Sequence, residues 1–584
     1  METIMDNKKE ILVIFKTHLD IGFTDYAETV KDKYINQFIP NAIRVGNELK
    51  NTETPFVWTT GSWLIWEALK QDKDGSVAKA IEDGIICWHG LPCTTHTELM
   101  NAKMFEYGLS LSQKLDARFN KHTIAAKMTD VPGHTIAMIP YLKKAGIEFL
   151  HIGVNTATPL PPVPPVFKWK FGDDEITVMY QTGYGLPMEF DDFVIYFAHT
   201  EDNCGPQSGD EIIKLYDKIK KEYPNSVIKA ATLNDVAMRV RELKNLPIVD
   251  KEIGDTWIHG VGTDPKKVGM YKEVLRYIDD NNIDTDKTDL SDNLLLVPEH
   301  TWGMNTNVYF KVYKDYELDE FAAYENDPDK LKVEKSWQEQ RDFVTAGAKA
   351  LNYDIKYEVR EPSLDGFGET ESEDAEFEIS WELFDTDDYL RYMKVYLQFT
   401  PQNIGWACAD YMKLGLPLYK GGVYTAKVLN TYTNGRTILY RLGFDGELSE
   451  RYGLPYFWVE KTDNRYEIKW FNKGKLRLPH AIWLKFKGFD EKWEIDKLNH
   501  WIKAEDVIGS PLICATDYGV RNGEYEIESR DAALVAPFGR RLYDYDTNPS
   551  GQDLYFNLYN NVWNTNFPMW YGDDTKFEFI IKKR

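Results

Sequence analysis

A histidine and an aspartate two residues apart, His18 and Asp20, follow a short apolar run at residues 11–15. The run is continuous and rich in β-branched residues, which is typical of a strand buried on both faces. In extended backbone the side chains of residues i and i+2 point to the same side, so these two can converge just beyond the strand. An imidazole nitrogen and a carboxylate oxygen placed in this way are half of a tetrahedral zinc site. The pattern also fits a strand-end turn whose aspartate caps the next helix, because H-x-D alone is common.

Four later segments repeat this arrangement of an apolar run followed by carboxylates and histidines. The runs are predicted as strands at residues 124–129, 193–198, 256–259 and 293–297. Each segment alone fits a helix cap or a solvated loop, but the carboxyl ends of parallel strands are where α/β folds place their chemistry. The recurrence therefore favours one shared site. The candidate side chains are Asp130; His199, Glu201 and Asp202; Asp255, Trp257, His259 and Asp264; and Glu299 and His300.

The elements that must position these side chains divide the chain into three regions. Up to about residue 310, strand-like runs alternate with amphipathic helical stretches, which predicts an α/β fold with a parallel, barrel-like (β/α) sheet. Alternating strands follow from about residue 356, for example at residues 376–384, 393–399, 466–471 and 576–582, and predict an antiparallel β-sandwich. We therefore expect a catalytic α/β domain over residues 1–265, a helical segment over 266–355 that also carries the strand end with His300, and a β-sandwich domain over 356–584.

Composition excludes several classes of protein. The 584 residues are 43% hydrophobic and 28% charged, as in soluble globular proteins. No apolar run reaches the ~20 residues of a membrane helix and the amino terminus lacks a signal core, so we expect a cytoplasmic protein with no membrane partner. A net charge of −24 argues against a nucleic-acid partner. Five widely spaced cysteines without a C-x-x-C pair predict neither a disulfide framework nor a cysteine zinc site.

The motifs together resemble those of the zinc-dependent α-mannosidases of glycoside hydrolase family 38 and their bacterial relatives. In that family H-x-D-x-G-W follows the first strand, and residues 18–23 read HLDIGF; D-P-F-G-H carries the nucleophile, and residues 130–134 read DVPGH. The acid/base segment G-D-D-F matches residues 200–203 (TEDN) in order and setting. Further motifs are similar to GDTW at 254–257, TDP at 263–265 and EHTWG at 299–303.

This resemblance implies a retaining exo-glycosidase that cleaves a terminal, α-mannoside-like glycoside through a covalent intermediate. It implies one zinc ion per chain, held by His18, Asp20, Asp130 and His300. Asp130 would be the nucleophile and Asp202 the acid and then the base, as two carboxyl groups act in retaining glycosidases. The predicted substrate contacts are the rings of Trp58, Trp88, Trp257 and Trp302 and the polar side chains of His89, His199, Asp255, His259 and Asp264.

Two other functions stay open at this point. Metal-dependent carbohydrate deacetylases also bind metal through Asp and His at strand ends, but they activate water and need no acid at Asp202. A non-catalytic carbohydrate-binding protein could keep the fold, although it would not need both Asp130 and Asp202. In each case the expected partner is a carbohydrate, and the sequence leaves a homo-oligomer open.

Overall fold

The structure, a computed structural model, describes residues 8–371, 374–489, 492–509, 513–540, 542 and 553–584. The chain forms two compact units. The first unit comprises Met1–Thr95, Phe105–Pro132 and Met138–Lys251, and the second comprises His96–Met104, Gly133–Ala137 and Glu252–Arg584.

The first unit is built on two largely parallel β-sheets. Its strands in chain order are β1 Glu10–Thr17, β2 Trp58–Gly61, β3 Ile86–His89, β4 Ala125–Asp130, β5 Phe149–Val154, β6 Val166–Phe171, β7 Asp174–Thr182, β8 Met188–Glu189, β9 Phe193–Thr200, β10 Val227–Ala230 and β11 Ile248–Val249. One sheet has the order β3-β2-β1-β9-β8, with β10 also paired to β1, and the other has the order β11-β6-β7-β5-β4. All of β1 from Ile11 to Thr17 is buried, as the continuous apolar run predicts.

Helices connect these strands and cover the sheets. The helix Gly209–Glu222 begins at a capping box, in which Ser208 and Glu211 satisfy each other's backbone N–H groups. Its buried residues Ile212, Tyr216 and Ile219 recur at helical spacing and form the inward face. The other helices are Ala27–Lys33, Ile39–Leu49 (after a π-helical turn, Tyr34–Phe38), Ser62–Gln71, Ser76–Glu82, Ile139–Lys144 and Leu233–Val240, with Ala102–Phe119 belonging to this unit from Phe105 onward.

The second unit contains the helical segment and most of the antiparallel β-structure. Its helices are Pro265–Asp280, Thr288–Leu295, Thr306–Tyr309, Leu318–Ala322, Pro328–Ala350, Thr386–Tyr396, Ile404–Tyr411 and Gly446–Tyr452. Short 3₁₀ turns lie at Thr97–Leu99 and Ile258–Thr263, and a third, Ile136–Met138, starts in this unit. The long helix Pro328–Ala350 is capped by Asp327, whose side chain accepts from the N–H groups of Asp329 and Lys330.

The strands of the second unit form a ten-stranded and a six-stranded sheet, both antiparallel, and one short parallel pair, β12 with β23. One core cluster takes residues from both large sheets, among them Trp381 and Trp470. The strands are β12 Glu252–Ile253, β13 Gly368–Thr370, β14 Phe377–Leu383, β15 Gly422–Thr425, β16 Lys427–Thr433, β17 Thr437–Gly443, β18 Tyr456–Thr462, β19 Arg465–Phe471, β20 His480–Phe486, β21 Glu494–Lys497, β22 His500–Lys503, β23 Val507–Ile508, β24 Cys514–Ala515, β25 Gly519–Arg521, β26 Tyr525–Ser529, β27 Leu534–Ala536, β28 Tyr555–Asn560 and β29 Thr575–Lys583.

Three predicted strands are wrong. Residues 293–297 fall in and just after the helix Thr288–Leu295, so His300 does not follow a strand; a short apolar run does not by itself separate a buried helix from a strand. Residues 256–259 lead into the 3₁₀ turn Ile258–Thr263. Residues 393–399 begin within the helix Thr386–Tyr396, because Tyr389, Tyr392, Met393 and Tyr396 are buried at helical spacing.

The coarser fold prediction is confirmed: parallel sheets with helices come first, and antiparallel β-structure dominates the carboxyl-terminal part. The barrel-like closure and the sandwich packing stay predictions. Among the described residues, no helix is long and apolar enough to cross a membrane.

Candidate active site

The ends of β1 and β9 bring His18 and Asp202 into the same region of the first unit. The two strands pair in parallel over their whole length, with Thr17 opposite Thr200. Asn203 then joins the loop after β9 to the loop after β1 through hydrogen bonds of 3.1 Å. Its side-chain oxygen accepts from the backbone N–H of Asp20, and its side-chain NH₂ group donates to the carbonyl oxygen of Asp20. The backbone N–H of Asn203 donates to the carbonyl oxygen of His18. Its left-handed backbone, with φ of 52°, fits asparagine.

The second sheet of this unit positions Asp130 in the same manner. Asp130 is the last residue of β4 and lies opposite Val154 of β5, so Asn155 follows directly beside it. Asn155 Nδ2 donates to Asp130 Oδ1 at 2.9 Å, and the hydroxyl of Tyr184, beyond the end of β7, donates to the same oxygen at 2.6 Å. Asp130 has a φ of 74°, which is uncommon for a residue with a Cβ and is typical of functional sites.

His18, Asp20 and Asp130 form a buried cluster that is compatible with a metal ion. One ligand atom of each lies within 4.8 Å of the others. His18 Nε2 is 3.1 Å from Asp20 Oδ1 and 3.8 Å from Asp130 Oδ2. Ligands about 2 Å from a common ion lie roughly 3–4 Å apart, so both separations suit shared coordination. The two carboxylates also supply the negative charge that a divalent cation requires.

The other ring nitrogen of His18 is held by Thr129. His18 Nδ1 lies 2.8 Å from Thr129 Oγ1, and Lys127 Nζ donates to the same hydroxyl oxygen at 3.2 Å. A neutral His18 that donates from Nδ1 directs the lone pair of Nε2 toward the carboxylates, which is the orientation that a metal-binding histidine needs. The donor set and its support therefore fit a metal ion such as zinc.

Asp202 has the properties of a carboxylic acid that keeps its proton. Burial, with the neighbouring Asp20 adding to it, raises the pKa of Asp202 to about 7. Its Oδ1 is buried and has no hydrogen-bond partner among the described residues. A carboxyl with a pKa near neutrality can donate a proton in one step and accept it in the next.

The rings of His199 and Tyr184 are in contact beside this cluster. Their ring centroids are 4.6 Å apart. Tyr184 also contacts the ring of His18, with centroids 5.1 Å apart. Burial, together with Lys16 and His18, holds the pKa of His199 well below its usual range, so the imidazole is neutral. Both of its ring nitrogens lack a hydrogen-bond partner among the described residues, which leaves them for a ligand hydroxyl.

The other predicted substrate contacts of the first unit are buried. Trp58 lies on β2 with no exposed surface, and Trp88 packs on Phe119 with ring centroids 6.0 Å apart. His89, the last residue of β3, borders a small cavity of about 20 Å³ that Lys127 also lines, which has room for about one water molecule.

The remaining predicted residues lie in the second unit. His300 Nδ1 contacts Glu299 Oε1 at 2.6 Å, so the carboxylate orients the imidazole. Trp302 is 1% exposed and its ring face is covered by the ammonium of Lys267, 3.7 Å from the ring centroid.

Asp255, Trp257 and His259 lie among buried polar and aromatic groups of the same unit. Asp255 Oδ2 is 2.7 Å from His96 Nδ1, and His259 Nε2 is 3.1 Å from the hydroxyl of Tyr392. The ring of Trp563 meets Trp257 edge to face and lies tilted against His259, with ring centroids 5.2 and 4.8 Å away. Asp264 caps the helix Pro265–Asp280 and accepts from Arg341 at 2.7 and 2.9 Å.

The sequence prediction missed three residues that support the cluster: Asn155, Tyr184 and Asn203. Asn155 and Asn203 are single amides in loops, and nothing in their neighbourhood indicates their partners. Tyr184 has a detectable signal, because it stands between Gly183 and Gly185 directly after a strand, and all three residues have positive φ.

Comparison with known structures agrees with this fold. An α-mannosidase from Enterococcus faecalis V583 superimposes with a TM-score of 0.62 at 10% identity, covering 99% of this chain and 87% of the other. A protein in glycosyl hydrolase family 38 from Enterococcus faecalis has a TM-score of 0.54 at 9% identity, covering 99% of this chain and 86% of the other. The predicted resemblance to family 38 is thereby confirmed at the level of the fold.

Comparison of the sequence with known protein families and curated proteins assigns no function to the chain. Residues 261–368 match a family described as a domain of unknown function, DUF5054. No curated protein sequence matches the chain at a significant level.

Proposed function

We propose that this protein is a zinc-dependent retaining exo-glycosidase that hydrolyses a terminal, α-mannoside-like glycoside. The family 38 fold supports a glycoside hydrolase, and the α-mannosidase from Enterococcus faecalis V583 supports the choice of sugar. The observation that carries the proposal is the convergence of His18, Asp20 and Asp130, with Asp130 held in a left-handed backbone and clamped by two donors.

In this proposal four residues hold the metal: His18, Asp20, Asp130 and His300 supply two imidazole nitrogens and two carboxylate oxygens. This is a ligand set that zinc accepts. When bound, the ion supplies Lewis acidity toward sugar hydroxyls and keeps Asp130 ionised.

The chain's own carboxyl groups carry the chemistry. An oxygen of Asp130 attacks the anomeric carbon while the bond to the leaving oxygen breaks, and Asp202 donates its proton to that oxygen. A glycosyl ester on Asp130 results. Asp202, now ionised, removes a proton from water, which attacks the anomeric carbon and releases Asp130. The two inversions give net retention of configuration.

The neighbouring groups give each carboxyl a defined role. Tyr184 and Asn155 both donate to Asp130 Oδ1, which fixes the plane of the carboxylate. The raised pKa of Asp202 suits an acid at neutral pH. His199, neutral and in ring contact with Tyr184, offers nitrogens to the sugar hydroxyls.

The proposal is tested with a panel of aryl α- and β-glycosides, assayed before and after treatment with a chelator. We expect hydrolysis of an α-mannoside-like member, loss of activity with chelator and recovery with zinc. Proton NMR of the first product should show retained configuration. Inverted product, or hydrolysis that is insensitive to chelator, would contradict the proposal. Release of acetate from acetylated sugars without glycosidic cleavage would favour a deacetylase.

A further inference from the structure

A second cavity, within the second unit, lies between the long helix Pro328–Ala350 and the segment at residues 568–573. Its volume is about 230 Å³. This is smaller than the range of about 300–1,000 Å³ typical of sites for drug-sized ligands, so it suits a ligand of one or two sugar rings. We call it the Arg341 pocket, after the guanidinium that lines it together with Trp337, Lys475, Trp570 and Asp573.

The guanidinium of Arg341 is fixed in place by two carboxylates. Its Nε and one terminal nitrogen donate to Asp264 at 2.7 and 2.9 Å, and the other terminal nitrogen donates to Asp573 at 2.7 Å. The Arg341 side chain is 17% exposed, whereas Asp573 is 42% exposed. A rigid donor group beside an accessible carboxylate can bind a hydroxyl group that both accepts and donates.

The charges of the pocket indicate a neutral ligand. Three carboxylates line it, those of Asp264, Glu334 and Asp573, against two cations, Arg341 and Lys475. An anion would meet three like charges, and a cation would meet two. A neutral polyol avoids both penalties, and its hydroxyls can pair with groups of either sign.

Aromatic side chains form the apolar part of the lining. Trp337 and Trp570 meet with ring centroids 4.7 Å apart, and Tyr571 lies next in the chain. The indole N–H of Trp570 donates to Glu334 at 2.7 Å, which fixes the ring. Trp337 and Trp570 also belong to a buried core cluster, so these walls are present before a ligand binds. The buried rings thus give the pocket a rigid apolar wall beside its hydrogen-bonding groups.

The geometry points to the Arg341 pocket as a carbohydrate-binding site for a neutral monosaccharide unit. It binds without hydrolysing, because the lining carboxylates are engaged in ion pairs with Arg341 and Lys475. None of the pocket's residues belongs to the proposed catalytic or metal set, and Asp264, a predicted substrate contact, is paired with Arg341 in this pocket.

The test uses a chain with His18→Ala and Asp130→Asn, in which the proposed hydrolytic site is disabled. Methyl glycosides of mannose, glucose and galactose are titrated by ligand-observed NMR. Gln338 is an exposed residue of the long helix that lines the pocket, so Gln338→Trp fills it. Lys349→Trp, at an exposed position of the same helix away from the pocket, is the matched control.

We expect at least one methyl glycoside to bind the disabled chain, weakly, and binding to fall about tenfold or more with Gln338→Trp but not with Lys349→Trp. Asp573→Asn, which removes the negative charge of one carboxylate that accepts hydrogen bonds, should also weaken binding. This variant is used in place of Gln338→Trp if Gln338→Trp does not fold. No binding to the disabled chain, or equal binding with and without the pocket substitutions, would overturn the inference. Neither result bears on zinc content or turnover in the unmodified chain, so the two proposals fail separately.

Discussion

The hydroxyl of Tyr184 donates to Asp130 Oδ1 at 2.6 Å, across a separation of 54 residues in the chain. The contact exists because β4, β5 and β7 are neighbours in one sheet and end at the same edge. Asn155, at the end of the middle strand, donates to the same oxygen. The proposed nucleophile is thus positioned by the two strands that follow its own in the sheet.

Removing this hydroxyl should slow turnover without unfolding the protein. Tyr184→Phe keeps the ring that stacks on His18 and contacts His199, but it deletes one donor to Asp130. Loss of a hydrogen bond to a charged group is worth about 1–3 kcal/mol, so we expect kcat/KM to fall roughly 10- to 100-fold. The control is Tyr196→Phe, which deletes a hydroxyl that accepts from the exposed Lys218 and which should retain activity. Equal activity of the two variants would remove Tyr184 from this role.

Asn203 should matter for metal affinity although it is not a proposed ligand. It holds the loop of His18 and Asp20 through both its backbone and its side chain. We expect Asn203→Ala to weaken zinc binding by about 10- to 100-fold, as other positioning residues around metal sites do. Asn245→Ala is the matched control, because Asn245 is exposed and has a similar φ of 59°. Zinc affinity is measured by competition with a chromogenic chelator, and an unchanged affinity for Asn203→Ala would contradict the role.

Much of the site could be predicted from the sequence because its residues follow recognisable strands. His18 and Asp20 come directly after β1, and Asp130 ends β4, so the apolar runs locate them. The element before His300 differs from the prediction, since the apolar run there is a helix and not a strand. Periodicity does not separate the two for a short buried run.

The supporting residues could not be predicted because their partners depend on the order of the strands in the sheets. Asn155 reaches Asp130 only because β5 lies beside β4, and Asn203 reaches Asp20 only because β9 lies beside β1. A single sequence gives the strands but not which of them pair. Contacts of side chains from different elements are equally hidden in a single sequence: Lys267 Nζ lies 3.7 Å from the ring centroid of Trp302, a predicted substrate contact.

The two proposed catalytic carboxyls should respond differently to substitution. Asp130→Ala should abolish turnover of every glycoside, because it removes the attacking oxygen and a proposed metal ligand. Asp202→Ala should reduce turnover most for alkyl glycosides, whose poor leaving groups need a proton, and less for activated aryl glycosides. Added azide should accelerate Asp202→Ala on aryl substrates if the covalent intermediate accumulates. Equal losses on both substrate types would exclude Asp202 as the acid, and Glu201 and Asp255 would be tested next.

Glu382 on β14 should make the stability of the second unit depend on pH. Burial raises the pKa of Glu382 from 4.5 to about 7, although Trp483 donates to it at 2.8 Å. Between these values the folded chain binds more protons than the unfolded chain, so this contribution is complete below pH 4.5 and is lost as the pH rises through 7.

Glu382→Gln keeps an acceptor for Trp483 and does not ionise. We expect it to be more stable than the unmodified chain at pH 8, by about 1–2 kcal/mol, and nearly equal at pH 4.5. Thermal unfolding midpoints at the two pH values check this, with Glu378→Gln on the same strand as control. A difference that does not change with pH would show that folding does not shift the pKa of Glu382, and would contradict this prediction.

The most direct measurement is the metal content of the purified chain, determined by elemental analysis for the unmodified protein, His18→Ala and His300→Ala. The account predicts about one zinc ion per chain in the unmodified protein and loss of that ion in both variants, while Lys349→Ala, at an exposed position, retains it. Far-ultraviolet circular dichroism confirms that the variants are folded. A full complement of metal in both histidine variants, or no divalent metal in the unmodified protein after incubation with zinc, would contradict the proposed site.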